Sequence, residues 1–481
     1  MRNLGIPYPC WLRVSALGFL MAWCVGAAAI AQTTPTVSSI AILHSFLPPA
    51  PGEDARTPYA PPLLVLGDNL LYGVGSAGPS VSFRGAVFRT SLSGDFYDLI
   101  YAFATTDVRA PNMGLILGSD GMLYGTAPSG GPTRGNAGGV YRLNRDGTGF
   151  QSIHVFTNTP EGAAPSGPVL EGPGGFLYGV TGRGGENGGG GTVYKVSKDG
   201  SVYAVLRSFN STNGGPVSPS QSLTLGKDGL LYGISVEGGT NSVGSVYRLA
   251  PDGTGFQVLK SFSNRQADAD GQSPNGPLLE VDDVLVGTTS GGGTKSSGTV
   301  YQLKRDGSQY QVIHRFAGAP TEGANPYGNL VSGIDGKLYG TTLNGGTGSV
   351  GTLYRLKPDG TEFEVLWHIQ RDKGQPQLPQ SGLVAGGDGE FFGTSTGGGD
   401  TGFGTVFRFH PPIRYTVARA PGEWILEWVA NGLNYRAQET ERLEESTVWV
   451  DIGTVPESVG VLRRIRIPSP DSNRFIRLFA D

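Results

Sequence analysis

Five acids recur at one spacing. Asp54 stands four residues before Pro58, Asp107 before Pro111, Glu161 before Pro165, Asp270 before Pro274 and Glu322 before Pro326. Gly215 and Gln375 take the same place ahead of Pro219 and Pro379. Carboxylates gathered around one opening repel each other, and a bound cation relieves the repulsion. The five are therefore candidate ligand-binding residues. Their chemistry would be a weak, diffuse calcium site, with no dedicated cofactor or metal cage. The plainer reading is a turn in which the acid bonds its own backbone, since Gly162, Gly271 and Gly323 follow directly.

Other residue types with chemical potential read as structural. His44, His154 and His314 share one repeat position, which Tyr101, Arg207, Lys260 and Trp367 fill elsewhere. Metal ligands must converge to about 2 Å from one ion. Histidines on separate outer strands diverge, so a solvated edge is expected for them. The runs Gly188 to Gly191 and Gly291 to Gly293 look like phosphate loops, yet a strand-like segment follows where a phosphate loop needs a helix. No Ser/His/Asp set is spaced to make a nucleophile, so no catalytic residue is assigned.

What positions the acids is a repeat. The tyrosine of L-Y-G falls at Tyr72, Tyr124, Tyr178, Tyr232 and Tyr339, with Val286 and Phe392 in the same place. A second segment recurs in step, from Gly85-Ala86-Val87-Phe88 to Gly404-Thr405-Val406-Phe407. Seven copies are visible. Each holds four strand-sized apolar runs, a to d, separated by Asp-Gly turns such as Asp120-Gly121 and Asp146-Gly147. Glycine supplies the positive φ of a tight hairpin. Four antiparallel strands in about 50 residues match one blade of a β-propeller. The acids then sit in the loop from strand d to the next strand a, at one mouth of a central channel.

Only six copies of strand d follow the first repeat's start, and the seventh repeat stops at Arg408-Phe409. The missing strand precedes the first repeat, at Ala41-Ile42-Leu43-His44-Ser45-Phe46. The predicted fold is all-β: a seven-bladed β-propeller over residues 41–409, closed by its N-terminal strand. Residues 1–31 read as a signal peptide, with Arg2 and Arg13, an apolar run from Val14 to Val25 and an Ala29-Ile30-Ala31 cleavage site. Residues 32–40 are a lead segment. After His410-Pro411-Pro412, residues 413–481 lose glycine and gain charge, with about six alternating runs that suggest a small Ig-like β-sandwich. Trp424, Leu426 and Trp428 share a strand face there, expected as a core stripe, with an exposed platform for sugar rings as the alternative.

The consensus D-G-x-L-Y-G-T-T-x-x-G-G-x-x-G-x-G-T-V-Y-R-L-x-x-D-G-T-x-F-x-V-L-H-S-F resembles the GloVer tandem repeat of secreted bacterial proteins. The resemblance covers about 370 residues. It implies a propeller-like exported protein with no assigned catalysis.

Composition narrows the partners. The formal charge is −4, and loss of Arg2 and Arg13 would make the chain more acidic still, which argues against nucleic acid. Both cysteines, Cys10 and Cys24, lie in the signal segment, so a cysteine-dependent copper site is excluded from the exported chain. The sialidase box S-x-D-x-G-x-T-W is absent. No later run is apolar enough to span a membrane. The expected protein is secreted, extracellular or periplasmic, and monomeric. Its expected role is non-catalytic binding or scaffolding toward a glycan or protein, with an extracellular polysaccharide hydrolase or lyase as the alternative.

Overall fold

The computed structural model describes residues 38–480 apart from short stretches at 49–53, 66, 78–83, 132–135, 187–188, 211–214, 266–268, 414, 421–422, 441–449 and 469–474. The signal segment, with both cysteines, lies outside the described residues. The protein is all-β, and among the described residues there is no α-helix. No helix is long and apolar enough to cross a membrane.

Two compact units emerge, one of residues 41–385 with 391–408, the other holding 386–390 and 409–481. In the first, each repeat forms its own antiparallel sheet in the order a-b-c-d, as in Leu63–Val65, Leu70–Gly75, Ala86–Ser91 and Tyr97–Ala102. The third repeat adds a strand, Ala163–Pro165, beside its strand b. The last repeat takes its fourth strand from the other end of the chain. Ser39–Ser45 lies beside Thr405–His410, as the strand count predicts, and Phe46 N–H donates to Gly404 O at 3.0 Å.

The L-Y-G glycine is a packing requirement. Strand c lays an aromatic ring over it, so a Cβ on Gly125 would lie 2.4 Å from the Tyr141 hydroxyl, and one on Gly73 2.3 Å from the tip of the Phe88 ring. These rings fill clusters that mix consecutive repeats. One joins Tyr72 and Val87 to Leu123 and Tyr141. Another joins Phe392 and Val406 of the seventh repeat to Leu71 and Phe88 of the first, with Leu43 and Phe46 of the closing strand.

Strand d carries a bulge at one fixed place. Val140 pairs His154 and Tyr141 pairs Ser152, which leaves Ile153 unpaired; Leu206, Leu259 and Ile313 are skipped in the same way. A bulge bends and twists its strand locally. Here it turns a carbonyl toward the next repeat's c–d turn. A Cβ on Gly147 would meet Ile100 O at 2.0 Å, and one on Gly200 would meet Ile153 O at 2.1 Å. Gly94 meets Leu43 of the closing strand in the same manner. Glycine is needed there twice over, for positive φ and for the close approach.

In the second unit, one sheet joins Tyr415–Ala420, Glu423–Val429, Leu462–Pro468 and Glu457–Val459, and another joins Val450–Asp451, Tyr435–Thr440 and Phe475–Ala480. Glu457–Val459 is a strand that the alternation did not predict. The sheets share a core of Leu426, Trp428, Tyr435, Ala437, Ile465 and Ile467, against which Trp424 packs. The Trp424 face is thus the core stripe that its alternation predicts.

Candidate functional site

The recurring acids and the recurring histidines, read separately in the sequence, meet in the structure. His44 Nε2 lies 3.1 Å from Asp54, His314 Nε2 3.2 Å from Glu322, and His154 Nε2 3.6 Å from Glu161. In the remaining acidic repeats Tyr101 donates to Asp107 at 2.8 Å and Lys260 lies 2.9 Å from Asp270. The histidine side chains retain only 13–19% of their surface, so the solvated edge expected for them gives way to a half-buried seam.

Strand d and the loop after it make this meeting. Strand d ends in a fully buried aromatic, Phe46, Phe103, Phe156, Phe262 or Phe316. The next residue turns its N–H onto the acid: Leu47 to Asp54 at 2.7 Å, Ala104 to Asp107 at 2.8 Å, Thr157 to Glu161 at 3.2 Å, Ser263 to Asp270 at 3.0 Å and Ala317 to Glu322 at 2.9 Å. The acid therefore does act as a turn former, but toward the strand behind it.

A third partner comes from the following repeat. It is the aromatic four residues before the histidine place, in the D-G-T-x-F segment. Tyr97 stacks on His44 with centroids 3.6 Å apart and planes 2° apart, and its hydroxyl donates to Asp54 at 2.6 Å. Tyr203 stacks on His154 at 3.8 Å, Phe363 on His314 at 3.6 Å and Phe150 on Tyr101 at 4.3 Å. Where the place is cationic, the charge sits over the ring: Arg207 over Phe256 at 4.3 Å and Lys260 over Tyr310 at 3.9 Å. Tyr310 also donates to Asp270. Sequence reasoning missed this aromatic, although its recurrence at Tyr97, Phe150, Tyr203, Phe256, Tyr310 and Phe363 was a usable signal.

The electrostatics follow from burial. Burial, then the adjacent carboxylate, raises the phenols of Tyr97, Tyr101, Tyr203 and Tyr310 far above their usual range. They stay neutral donors. Burial lowers the imidazoles of His154 and His314, and the facing glutamates oppose that only in part. Asp54 and Asp270 are themselves buried, while Asp107, Glu161 and Glu322 are half-buried. Each of the five acidic seams thus holds one carboxylate, engaged by a backbone donor, a side chain of its own repeat and, at Asp54 and Asp270, a phenol of the next. Among the described residues no three His, Cys, Asp or Glu side chains are grouped to hold a metal ion.

One cavity lies at the seam between the fourth and fifth repeats. It is about 330 Å³ and opens beside Lys260 and Asp270, walled by Tyr310, Val312 and Arg315.

Known proteins bear on fold and family. The extracellular domain of the one-component system BT4673 from B. thetaiotaomicron is 11% identical with a TM-score of 0.48; the match covers 89% of this chain and 57% of that domain, so the chain spans a little over half its length. An oligogalacturonate lyase solved with manganese is 12% identical with a TM-score of 0.50, over 80% of this chain and 96% of the lyase. No curated protein matches. Two tandem matches to the Gloeobacter/Verrucomicrobia repeat, at residues 58–269 and 219–420, take in most of the chain, which therefore belongs to that repeat family.

Proposed function

We propose that the protein is an exported, non-catalytic binding or scaffold protein. In this reading the seven sheets are seven blades of a closed propeller, and the C-terminal unit is a small Ig-like sandwich. The loops between strands present a surface to an extracellular glycan or protein, and no cofactor is required. One observation carries the reading. The acids that recur in step are engaged by backbone N–H groups and by side chains of the seams. What is left for a partner is the loop sequence that changes from repeat to repeat, which suits recognition better than a shared reaction. A glycan array probed with residues 32–481 tests it. Labelling of a coherent set of glycans, with no release of product from them, is the expected result. Conversion of those glycans would overturn it.

The fold likeness to an oligogalacturonate lyase favours one second reading, an enzyme acting on acidic polysaccharide. Incubation with uronate polymers, followed by ultraviolet absorbance of unsaturated ends, separates the two.

A further inference from the structure

We propose that the seam between the fourth and fifth repeats is a subsite for the carboxylate of an acidic sugar. The proposal rests on the binding reading above and names a ligand class for it.

At three seams an imidazole lies flat on an aromatic ring, at 3.6–3.8 Å. At this seam a lysine replaces the imidazole. Its stem is slimmer than a stacked ring, and the seam keeps a cavity of about 330 Å³. That is the lower end of the range for ligand pockets, roughly 300–1,000 Å³, and suits one sugar unit.

The charge facing the cavity is positive. Lys260, Arg315 and Asp270 all line it. Both Asp270 oxygens are already engaged, Oδ2 by Lys260 Nζ at 2.9 Å and Ser263 N–H at 3.0 Å, Oδ1 by Gly271 N–H at 2.8 Å and the Tyr310 hydroxyl. Its side chain is only 5% exposed, so it offers a ligand almost no acceptor. Lys260 keeps N–H donors beyond the one aimed at Asp270. Arg315 spends its Nε on the Ala269 carbonyl at 3.1 Å, and its terminal amino groups make no hydrogen bond among the described residues. Among the described lining residues two cations face one saturated carboxylate, which favours an anion, and a guanidinium favours a planar carboxylate. The exposed Gln311 amide on the same wall can meet hydroxyls.

Calorimetry on residues 32–481 with glucuronate, glucose and acetate tests the assignment, alongside the glycan array. Glucuronate should bind saturably, glucose should not, and acetate should bind more weakly than glucuronate. Arg315→Gln should weaken glucuronate at least tenfold. Arg315 is exposed and among the described residues is bonded only to a backbone carbonyl, so this variant is expected to fold, and an unchanged melting temperature checks that. Lys260→Gln is the second variant, with the same expected loss. Equal affinity in the wild type and both variants overturns the subsite. Array labelling without glucuronate binding overturns the subsite and leaves the binding reading standing. No labelling and no glucuronate binding overturns the subsite and the glycan half of the binding reading.

Discussion

Four tyrosines carry a hydroxyl that the fold does not use. Tyr141, Tyr194, Tyr247 and Tyr301 occupy one place on strand c of four successive repeats, are fully buried, and have hydroxyls without a partner among the described residues. Burial raises each phenol well above its usual range. The first and seventh repeats put Phe88 and Phe407 in this place, over Gly73 and Gly393 at the same closeness. A buried hydroxyl without a partner costs about 1–3 kcal/mol. Tyr→Phe should therefore stabilise by about 1 kcal/mol per site, after allowance for lost contacts. The four lie in four different core clusters, so the gains should add, to about 4 kcal/mol in the quadruple variant. Urea unfolding followed by far-ultraviolet circular dichroism is the assay. Tyr232→Phe is the control, because the Tyr232 hydroxyl donates to Asp228 at 2.6 Å and its loss should destabilise. A quadruple variant with an unchanged or lowered midpoint would refute the reasoning and show that those hydroxyls are bonded.

Further outcomes follow from the seams. Gly147→Ala should cost about 3 kcal/mol or more and Gly121→Ala only about 1; both have positive φ, but only Gly147 faces a carbonyl. Equal costs in urea would dismiss the close approach as a constraint. His154 and His314 have depressed pKa values, so the unfolded chain binds protons that the folded one refuses. Stability should be full above the ordinary histidine range near 6.5 and fall as pH drops through it. His154→Gln/His314→Gln should flatten the melting temperature between about pH 7.5 and 5.5, and an identical slope in the double variant would dismiss the assignment. Deleting residues 41–46 strips the pairing from Thr405–His410 and should broaden thermal unfolding; an unchanged transition would count against closure by that strand.

The repeat was legible because its signals are local. Asp-Gly turns, alternating strands and the L-Y-G glycine each depend on neighbours a few residues away. Counting strand d against the repeats was enough to bring Ser39–Ser45 to Thr405–His410. The seam was harder because its three members come from a strand, a loop and the next repeat. Asp54 and His44 were both found, but nothing in their ten-residue spacing says that they touch. Their meeting depends on the turn after Phe46, and Tyr97 reaches them from 43 residues away. The strand Glu457–Val459 escaped for a different reason: three exposed residues carry no apolar alternation.

A strand-d carbonyl set against a turn glycine makes six of the seams head-to-tail, and a head-to-tail contact contains nothing that limits its number. The limit comes from the strand Ser39–Ser45, which supplies the last sheet and receives Gly94 and Tyr97 of the first. Thr401 donates to Phe46 O across 355 residues of chain, so the join ties together the two ends of the repeat array. A molecule whose own N-terminal strand is withdrawn exposes one vacant sheet edge and carries one unplaced strand. Those two ends fit each other in any pair of copies. Loss of the join would therefore make the chain a monomer for strand exchange, with linear growth at a rate that rises with concentration.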